Sequence, residues 1–162
     1  MRNIAHTIIT LCTLSLLLSC DKLPDNGDLD GMWQLMQIEE RATGQVSDWS
    51  VNQRYWSVRK ELMQYSANNS ITQTVLYSHF KKNDALLLLT DFCTAAKYET
   101  ETDDNKWISP DNANILNAWG IIYPDEDPDN PQKVTATFRI EHLTSSSLIL
   151  STEKTRLTFR KF

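Results

Sequence analysis

Cysteine, histidine and clustered carboxylates are the residue types in this chain whose side chains could carry chemistry. The cysteines are Cys12, Cys20 and Cys93, and Cys20 closes the run Leu17-Leu18-Ser19-Cys20 at the end of an apolar N-terminal stretch. The thiolate is the nucleophilic form of a cysteine. Cys20 is therefore the leading candidate for a covalent modification.

Catalytic and metal-binding patterns are scarce elsewhere. His79 and His142 have no cysteine or carboxylate nearby at metal-ligand spacing. The sequence contains no Gly-X-Ser-X-Gly elbow, no His-Glu-X-X-His motif and no glycine-rich phosphate loop, and it has only four glycines. These observations predict that the protein is not an enzyme and that it uses no metal or cofactor.

One acidic segment, residues 125–130, begins with the Asp-X-Asp-X-Asp spacing of a calcium loop. Its sixth position is Asn130, where a calcium loop needs glycine, and its twelfth is Ala136, where a bidentate glutamate should sit. A second acidic segment, residues 99–104, has the composition of a hairpin tip. A solvated loop is favoured over a calcium site at 125–130, and a solvated hairpin tip is expected at 99–104.

The N-terminal stretch has the organisation of an export signal. Arg2 supplies a positive start, residues 4–18 are mainly apolar, and the small residue Ser19 precedes Cys20. The stretch is shorter than the roughly 20 apolar residues that a transmembrane helix needs, and its threonines lower its hydrophobicity. The run ending at Cys20 resembles the lipobox of bacterial lipoproteins.

That resemblance implies a signal peptide over residues 1–19, a diacylglyceryl thioether on the sulfur of Cys20, and an acyl chain such as palmitate on its α-amine. Two or three chains anchor a protein stably in a bilayer, whereas one does not. We expect a protein of a diderm bacterial cell envelope, with the outer membrane favoured over the inner and the leaflet undetermined. A retained transmembrane helix is the alternative.

Processing at Cys20 also affects the charge and the thiols of the mature chain. Cys93 is then the remaining thiol, so no internal disulfide can form, and we expect it to be a small buried hydrophobe. Loss of residues 1–19 removes Arg2, so 15 basic side chains face 21 acidic ones and the formal net charge is −6. This balance argues against nucleic-acid binding and against charge-driven docking on anionic lipid.

Beyond Cys20 the sequence predicts a tether and then a single domain. Residues 21–30 contain Pro24, Asn26, Gly27 and four aspartates and read as a flexible tether, which together with Cys20 forms the unit 20–30. From residue 31 to 162 the dominant hydrophobic period is two, which is typical of half-buried strands. The predicted strands are 32–39, 55–66, 71–80, 85–92, 133–143, 148–150 and 156–162, with a weaker one at 95–100. One short helix is predicted at 110–118, with Pro110 at its start and Gly120 after its end.

About eight strands in hairpin order with one helix favour an all-β, up-and-down antiparallel barrel, with a β-sandwich as the alternative. The segment Leu29-Asp30-Gly31-Met32-Trp33 is similar to the Gly-X-Trp opening of lipocalins, and the C-terminal stretch is similar to the ending of small lipocalin-like bacterial lipoproteins. The resemblance implies a calycin-type barrel. In it Gly31 and Trp33 would plug the closed end, and Arg156 or Arg160 would pack across the Trp33 ring.

Aromatic residues are the remaining candidates for binding. Trp56, Tyr65, Trp107 and Trp119 could line a barrel mouth that accepts a small apolar or amphipathic ligand. The favoured function is thus a non-catalytic binding module, attached to the bilayer through Cys20. The alternative is a structural or accessory envelope lipoprotein whose barrel is filled by side chains and which acts through protein contacts. The sequence does not name a protein partner.

Overall fold

The structure is a computed structural model that describes residues 26–67, 75–94, 116–117, 119–121, 125–126 and 134–162. The predicted signal peptide, Cys20, most of the tether and Trp107 lie outside these residues. In the described part of the chain, antiparallel strands follow one another around a single sheet, and the last strand returns to pair with the first. The sheet is therefore a closed barrel, as predicted, and not the β-sandwich.

Eight strands form the closed ring, in the order β1, β3, β4, β5, β6, β8, β9, β10. Two further strands lie beside it: β2 pairs with β1, and β7 pairs with β8. The strand bounds are β1 Gly31–Glu40, β2 Gln45–Asp48, β3 Arg54–Arg59, β4 Leu62–Ala67, β5 Leu76–Lys82, β6 Leu86–Thr94, β7 Asp125–Glu126, β8 Val134–Leu143, β9 Ser147–Ser151 and β10 Thr155–Lys161. Two short 3₁₀ helices, Gly27–Leu29 and Ser50–Asn52, complete the described elements.

Alternation along the strands gives the barrel its interior, because successive side chains point to opposite faces. On β3, Trp56 and Val58 are buried, and on β10 Leu157 and Phe159 are buried between less buried neighbours. Large side chains therefore converge on the barrel axis. Those that are almost fully buried include Trp33, Leu35, Trp56, Met63, Tyr65, Leu76, Leu87, Leu89, Phe92, Phe138, Leu148, Leu150, Leu157 and Phe159.

The predicted strand at 55–66 is wrong in one respect, since it is a hairpin of two strands. Lys60 and Glu61 form the turn between β3 and β4, and Lys60 takes the left-handed conformation with φ of 58°. Neither residue is a typical turn former, so the sequence carries no turn signal there. The weaker strand at 95–100 lies outside the described residues, as do the start of the strand at 71–80 and most of the helix at 110–118.

The two ends of the barrel differ. Three turns lie at the end where β1 begins: the β3–β4 turn (residues 60–61), the turn at 83–85 and the turn at 144–146. The 3₁₀ helix Gly27–Leu29 covers this closed end, and Leu29 is fully buried. Strands β3 and β10 begin at the opposite end of the barrel, which we call the open end.

At the closed end, Trp33 is completely buried and its indole N–H donates to the carbonyl of Leu29 at 2.8 Å. The cation across its ring is Lys161, whose Nζ lies 4.9 Å from the ring centroid and also donates to the carbonyl of Asp28 at 2.9 Å. Gly31 has φ of +120°, and a Cβ there would lie 2.8 Å from Lys161 Cε. Gly31 thus leaves room for the lysine that covers the tryptophan.

The prediction that Arg156 or Arg160 packs across Trp33 is therefore corrected. Both arginines share the outward parity of β10, opposite to Leu157 and Phe159. Arg156 pairs with Glu141 (Nε to Oε2, 2.7 Å) on the barrel exterior, and Arg160 donates to the Oε1 atom of Gln34 at 2.9 Å. Alternation places Lys161, not either arginine, on the inward side.

Candidate ligand site at the open end of the barrel

Three of the four aromatic residues predicted to bind a ligand come together. Trp56 and Tyr65 are neighbours on β3 and β4, with ring centroids 5.2 Å apart and nearly perpendicular planes. Trp119 lies beside Tyr65, with centroids 6.4 Å apart. Trp107, the fourth, lies outside the described residues. The three described rings form one cluster below the open end.

Trp119 reaches the barrel because a helix ends there. The N–H of Gly120 donates to the carbonyl of Asn117, and the N–H of Ile121 donates to the carbonyl of Leu116. Gly120 adopts φ of +79°, so the two bonds and the left-handed glycine form a Schellman motif. Gly120 was expected to follow the end of a helix, and it does.

The helix end is anchored to the barrel wall. The indole N–H of Trp56 donates to the carbonyl of Trp119 at 2.7 Å, and this bond is buried. A Cβ on Gly120 would lie 3.0 Å from Leu35 Cδ2 and 3.9 Å from Leu157 Cδ1. Leu116 and Ile121 are fully buried. The helix end therefore packs tightly into the open end of the barrel.

Below Trp119, aromatic rings fill the part of the barrel interior that the structure describes. Trp56 lies 4.8 Å from Phe159 and 5.9 Å from Phe138, measured between ring centroids. Tyr65 stacks on Phe92 at 5.9 Å. Each of these rings has at most 1% of its surface exposed. Because Trp119 is itself only 2% exposed, the described aromatic cluster is packed from its lower rings to its upper one.

Tyr65 is held in its neutral form. Its hydroxyl hydrogen-bonds to Ser78 Oγ at 2.7 Å, and both residues are buried. Burial raises the pKa of the Tyr65 phenol well above its ordinary value, and the bond to Ser78 offsets this only in part. The two side chains pack together and satisfy each other's hydrogen-bonding groups, and the Tyr65 phenol stays protonated at neutral pH.

Arg54 is a site residue that the sequence reasoning missed. It begins β3 at the open end with the same parity as Trp56 and Val58, and its guanidinium carbon lies 5.3 Å from the centroid of the Trp119 ring. Its Nε is buried and has no hydrogen-bond partner among the residues that the structure describes. The strand was predicted to start at Tyr55, so an arginine on the inward parity was not recognised, although alternation alone would have revealed it.

The environment of Arg54 is unusual for a cation. Partial burial lowers the pKa of its guanidinium. The group stays protonated at neutral pH, because the ordinary pKa of arginine lies above about 12. In the described residues Arg54 makes no ion pair. The open end of the barrel thus places a positive charge beside a buried aromatic cluster.

Other candidate groups are distributed elsewhere. Cys93 is buried with 7% of its surface exposed, as expected of a small hydrophobe. The part of the chain that the structure describes holds no group of three or more histidine, cysteine or carboxylate side chains placed to bind a metal ion. Within the same residues, no helix has the length and apolar character to cross a bilayer.

Comparison with known proteins identifies the family. The model of the lipocalin-like domain family matches residues 13–162. A crystal structure of a lipocalin-like protein from Bacteroides uniformis is 23% identical, with a TM-score of 0.56, and the match covers 84% of this chain and all 100% of that one. A crystal structure of an uncharacterized protein from Bacteroides eggerthii is 20% identical, with a TM-score of 0.54, covering 82% of this chain and 98% of that one.

At these identities the two crystal structures are evidence for the fold alone, and no curated protein matches this chain in sequence. The family model, however, spans nearly the whole chain, including every strand of the barrel. The closed eight-stranded ring and the Gly31–Trp33 plug agree with that match. The chain belongs to the lipocalin-like domain family.

Proposed function

We propose that this protein is a membrane-anchored lipoprotein whose barrel binds a small amphipathic anion at its open end without altering it chemically. The observation that carries the proposal is Arg54, an inward-facing cation with a buried Nε that has no partner in the described part of the chain, lying over Trp119. A buried polar group without a partner is costly, and a ligand that supplies an acceptor would remove that cost.

The chemistry of the mouth selects for a ligand with two unlike ends. Guanidinium groups bind carboxylates and phosphates through charge-assisted, often bidentate hydrogen bonds. Trp119, beside Tyr65 and bonded to Trp56, is only 2% exposed, so an apolar body would contact this aromatic cluster once the side chains that cover it move aside. A ligand with a carboxylate at one end and a short hydrocarbon chain at the other would satisfy both features.

The non-catalytic part of the proposal is supported by the state of the polar groups near the mouth. Tyr65 is neutral and bonded to Ser78. Arg54 is a permanent cation that neither accepts nor gives up a proton at neutral pH. In the described residues of this end, no nucleophile lies beside a base, as covalent catalysis would require.

The membrane anchor is the part of the proposal that rests on Cys20 and the lipobox-like run before it. Acyl chains on Cys20 would hold the mature chain at the surface of a membrane in the envelope of a diderm bacterium, with the outer membrane favoured. Cys20 precedes Asn26, the first described residue, by six positions. Such a segment spans at most about 20 Å when extended, so the barrel would stay near the bilayer.

Ligand binding is tested by calorimetry on the mature chain, with decanoate as the probe and decanol as its uncharged counterpart. We expect decanoate to bind more tightly than decanol and Arg54→Met to weaken decanoate binding by roughly 10- to 100-fold, as for the loss of a charged hydrogen bond. Arg139→Met is the matched control, because Arg139 is an exposed arginine on the outer face of β8. Equal binding of decanoate to the wild type and to Arg54→Met would refute the proposal.

The tight packing of the interior favours a second candidate, a structural or accessory envelope lipoprotein that acts through protein contacts. Rings from several strands meet below Trp119 and leave the described lower barrel filled. This function predicts that neither decanoate nor decanol binds and that a defined envelope protein co-purifies with the mature chain. Retention of that partner by Arg54→Met would separate the two candidates.

A further inference from the structure

The outer face of the barrel carries a small apolar patch near its closed end. We refer to Met32, Tyr55 and Phe162 as the outer apolar patch. Met32 and Phe162 are 39% and 75% exposed, and Tyr55 is half-buried. Met32 and Tyr55 directly precede the buried Trp33 and Trp56, so alternation places them on the outward side of the wall.

The patch is assembled from three neighbouring strands. Met32 lies on β1, Tyr55 lies on β3, and Phe162 directly follows β10. The N–H of Phe162 donates to the carbonyl of Met32 at 2.8 Å, and the rings of Phe162 and Tyr55 meet edge-on with centroids 5.3 Å apart. Exposed apolar patches mark contact surfaces for proteins or membranes, and the position of this patch indicates which.

The chain that leads from Cys20 arrives beside the patch. The Nζ atom of Lys161, the residue before Phe162, donates to the carbonyl of Asp28 at 2.9 Å. Asn26 stands two residues before Asp28 and six after Cys20, so the extended segment from Cys20 to Asn26 is at most about 20 Å long. Acyl chains on Cys20 would therefore hold the outer apolar patch near a membrane surface.

Net charge does not select the surface that the patch meets. Among the described residues of the closed end, acidic and basic side chains balance: Asp28, Asp30, Glu61, Asp84 and Asp91 against Arg59, Lys60, Lys81, Lys82 and Lys161. This end therefore has no net attraction for an anionic bilayer. Charges farther from a surface than a Debye length, about 8 Å at physiological salt, are in any case largely screened from it. Apolar contact is the interaction that remains.

We propose that the outer apolar patch inserts into the headgroup boundary of the bilayer that holds the acylated Cys20. The inference rests on the proposed lipid anchor, which would keep the patch within reach of the lipid. Tyrosine and phenylalanine side chains favour this boundary. Three side chains alone would bind a bilayer weakly, but a short tether converts their contact into an intramolecular step with a high effective concentration.

Insertion of the patch sets the orientation of the barrel. The wall formed by the start of β1 and the end of β10 faces the bilayer. Arg54 and Trp119 lie at the open end and face away from it, so a ligand would reach them from the aqueous side. A second copy of the chain is the other surface that could cover the patch, and the experiment separates the two.

The test is hydroxyl-radical footprinting of the mature lipidated protein on phosphatidylcholine vesicles, read residue by residue by mass spectrometry. Flotation of the vesicles reports the anchor separately. We expect Met32 and Phe162 to be oxidised several-fold more slowly than in the mature chain without lipid, measured beside the same vesicles. Val51, which is 81% exposed just before β3 at the open end, should react equally in both samples. Phosphatidylglycerol in the vesicles should not change the protection, because the charges of the closed end balance.

The variant Met32→Gln/Phe162→Ser should remove the protection, so that Tyr55 is oxidised at the same rate in the lipidated and the unlipidated chain. Both substituted side chains are exposed, so the barrel should still fold, and circular dichroism checks this. The matched control Val46→Gln/Val51→Ser removes two exposed apolar side chains elsewhere and should leave Met32 and Phe162 protected.

Flotation with equal oxidation of Met32 and Phe162 in the two samples overturns the insertion and leaves the anchor standing. Failure to float overturns the anchor, and the insertion falls with it. Protection seen only with phosphatidylglycerol would show charge-driven docking and overturn the apolar contact. Protection that is lost as the protein is diluted on the vesicles would overturn it as well, because a second copy of the chain would then cover the patch.

Discussion

Lys161 and Gly31 are joined by a close approach at the closed end of the barrel. Lys161 extends over the Trp33 ring, and a Cβ on Gly31 would lie 2.8 Å from its Cε. The glycine of the Gly-X-Trp segment is therefore required by its backbone, at φ of +120°, and it leaves room for the flexible end of the lysine that lies against it. This contact joins the start of β1 to the end of β10.

The substitution Gly31→Ala should destabilise the protein by about 2 kcal/mol, chiefly because a side chain at φ of +120° is strained and to a smaller extent because the end of Lys161 must shift. Urea unfolding measures the loss. Adding Lys161→Ala should recover part of it, since the clash disappears while the positive φ remains. Strictly additive effects of the two substitutions would show that the contact does not exist.

Gly44→Ala is the matched control for this prediction. Gly44 also has a positive φ, of +70°, but no atom lies within 4 Å of the position that its Cβ would take. We expect a cost of about 1 kcal/mol from the backbone alone. Lys161→Ala should not change that cost.

Trp56→Phe should destabilise the protein by about 2 kcal/mol. The change removes the indole N–H that donates to the Trp119 carbonyl and leaves that buried acceptor unpaired, and it also leaves a small void beside Phe159. Thermal unfolding followed by circular dichroism measures the effect. Trp49→Phe, at a half-buried ring on the edge of the core, should cost less than about 1 kcal/mol. Equal losses in the two variants would contradict the role assigned to the Trp56 bond.

The barrel and its closed end could largely be predicted from sequence. Period-two alternation found most strands, and the Gly31–Trp33 segment indicated the plug. The wrong partner for Trp33 was an avoidable error. Leu157 and Phe159 define the inward parity of β10, and that parity selects Lys161 directly.

The open end depends on contacts that no local pattern contains. Trp56 and Trp119 are 63 positions apart and meet only because the helix end packs against the barrel. The left-handed turn at Lys60 is likewise not encoded by a glycine or an asparagine, so the β3–β4 hairpin was read as one strand. Arg54 was missed for a related reason, because the predicted strand began one residue too late.

The stability of Tyr65→Phe should decline less steeply than that of the wild type as the pH becomes alkaline. At neutral pH the loss of the bond to buried Ser78 should cost about 1 kcal/mol. Because burial raises the pKa of Tyr65 in the folded state, only the unfolded chain ionises this tyrosine above pH of about 10, and wild-type stability should fall there. The Phe variant lacks this contribution, so its stability should decline less steeply. Urea unfolding of both proteins at several alkaline pH values tests this, and equal slopes would contradict it.

Glu141 supplies the corresponding test at acidic pH. A hydrogen bond from the Ser151 hydroxyl, followed by the bond and charge of Arg156, lowers the pKa of the Glu141 carboxyl despite some burial. A lowered pKa in the folded state means that the stabilisation is present above the ordinary pKa of a glutamate and is lost as the pH falls through the folded value. Glu141→Gln should therefore cost less than about 1 kcal/mol at pH 7, as is usual for exposed ion pairs, and nothing at a pH well below about 4. Glu153→Gln, in the exposed turn before β10, should cost nothing at pH 7. A cost of Glu141→Gln that persists in acid would show that the carboxylate charge is not what stabilises this face of the barrel.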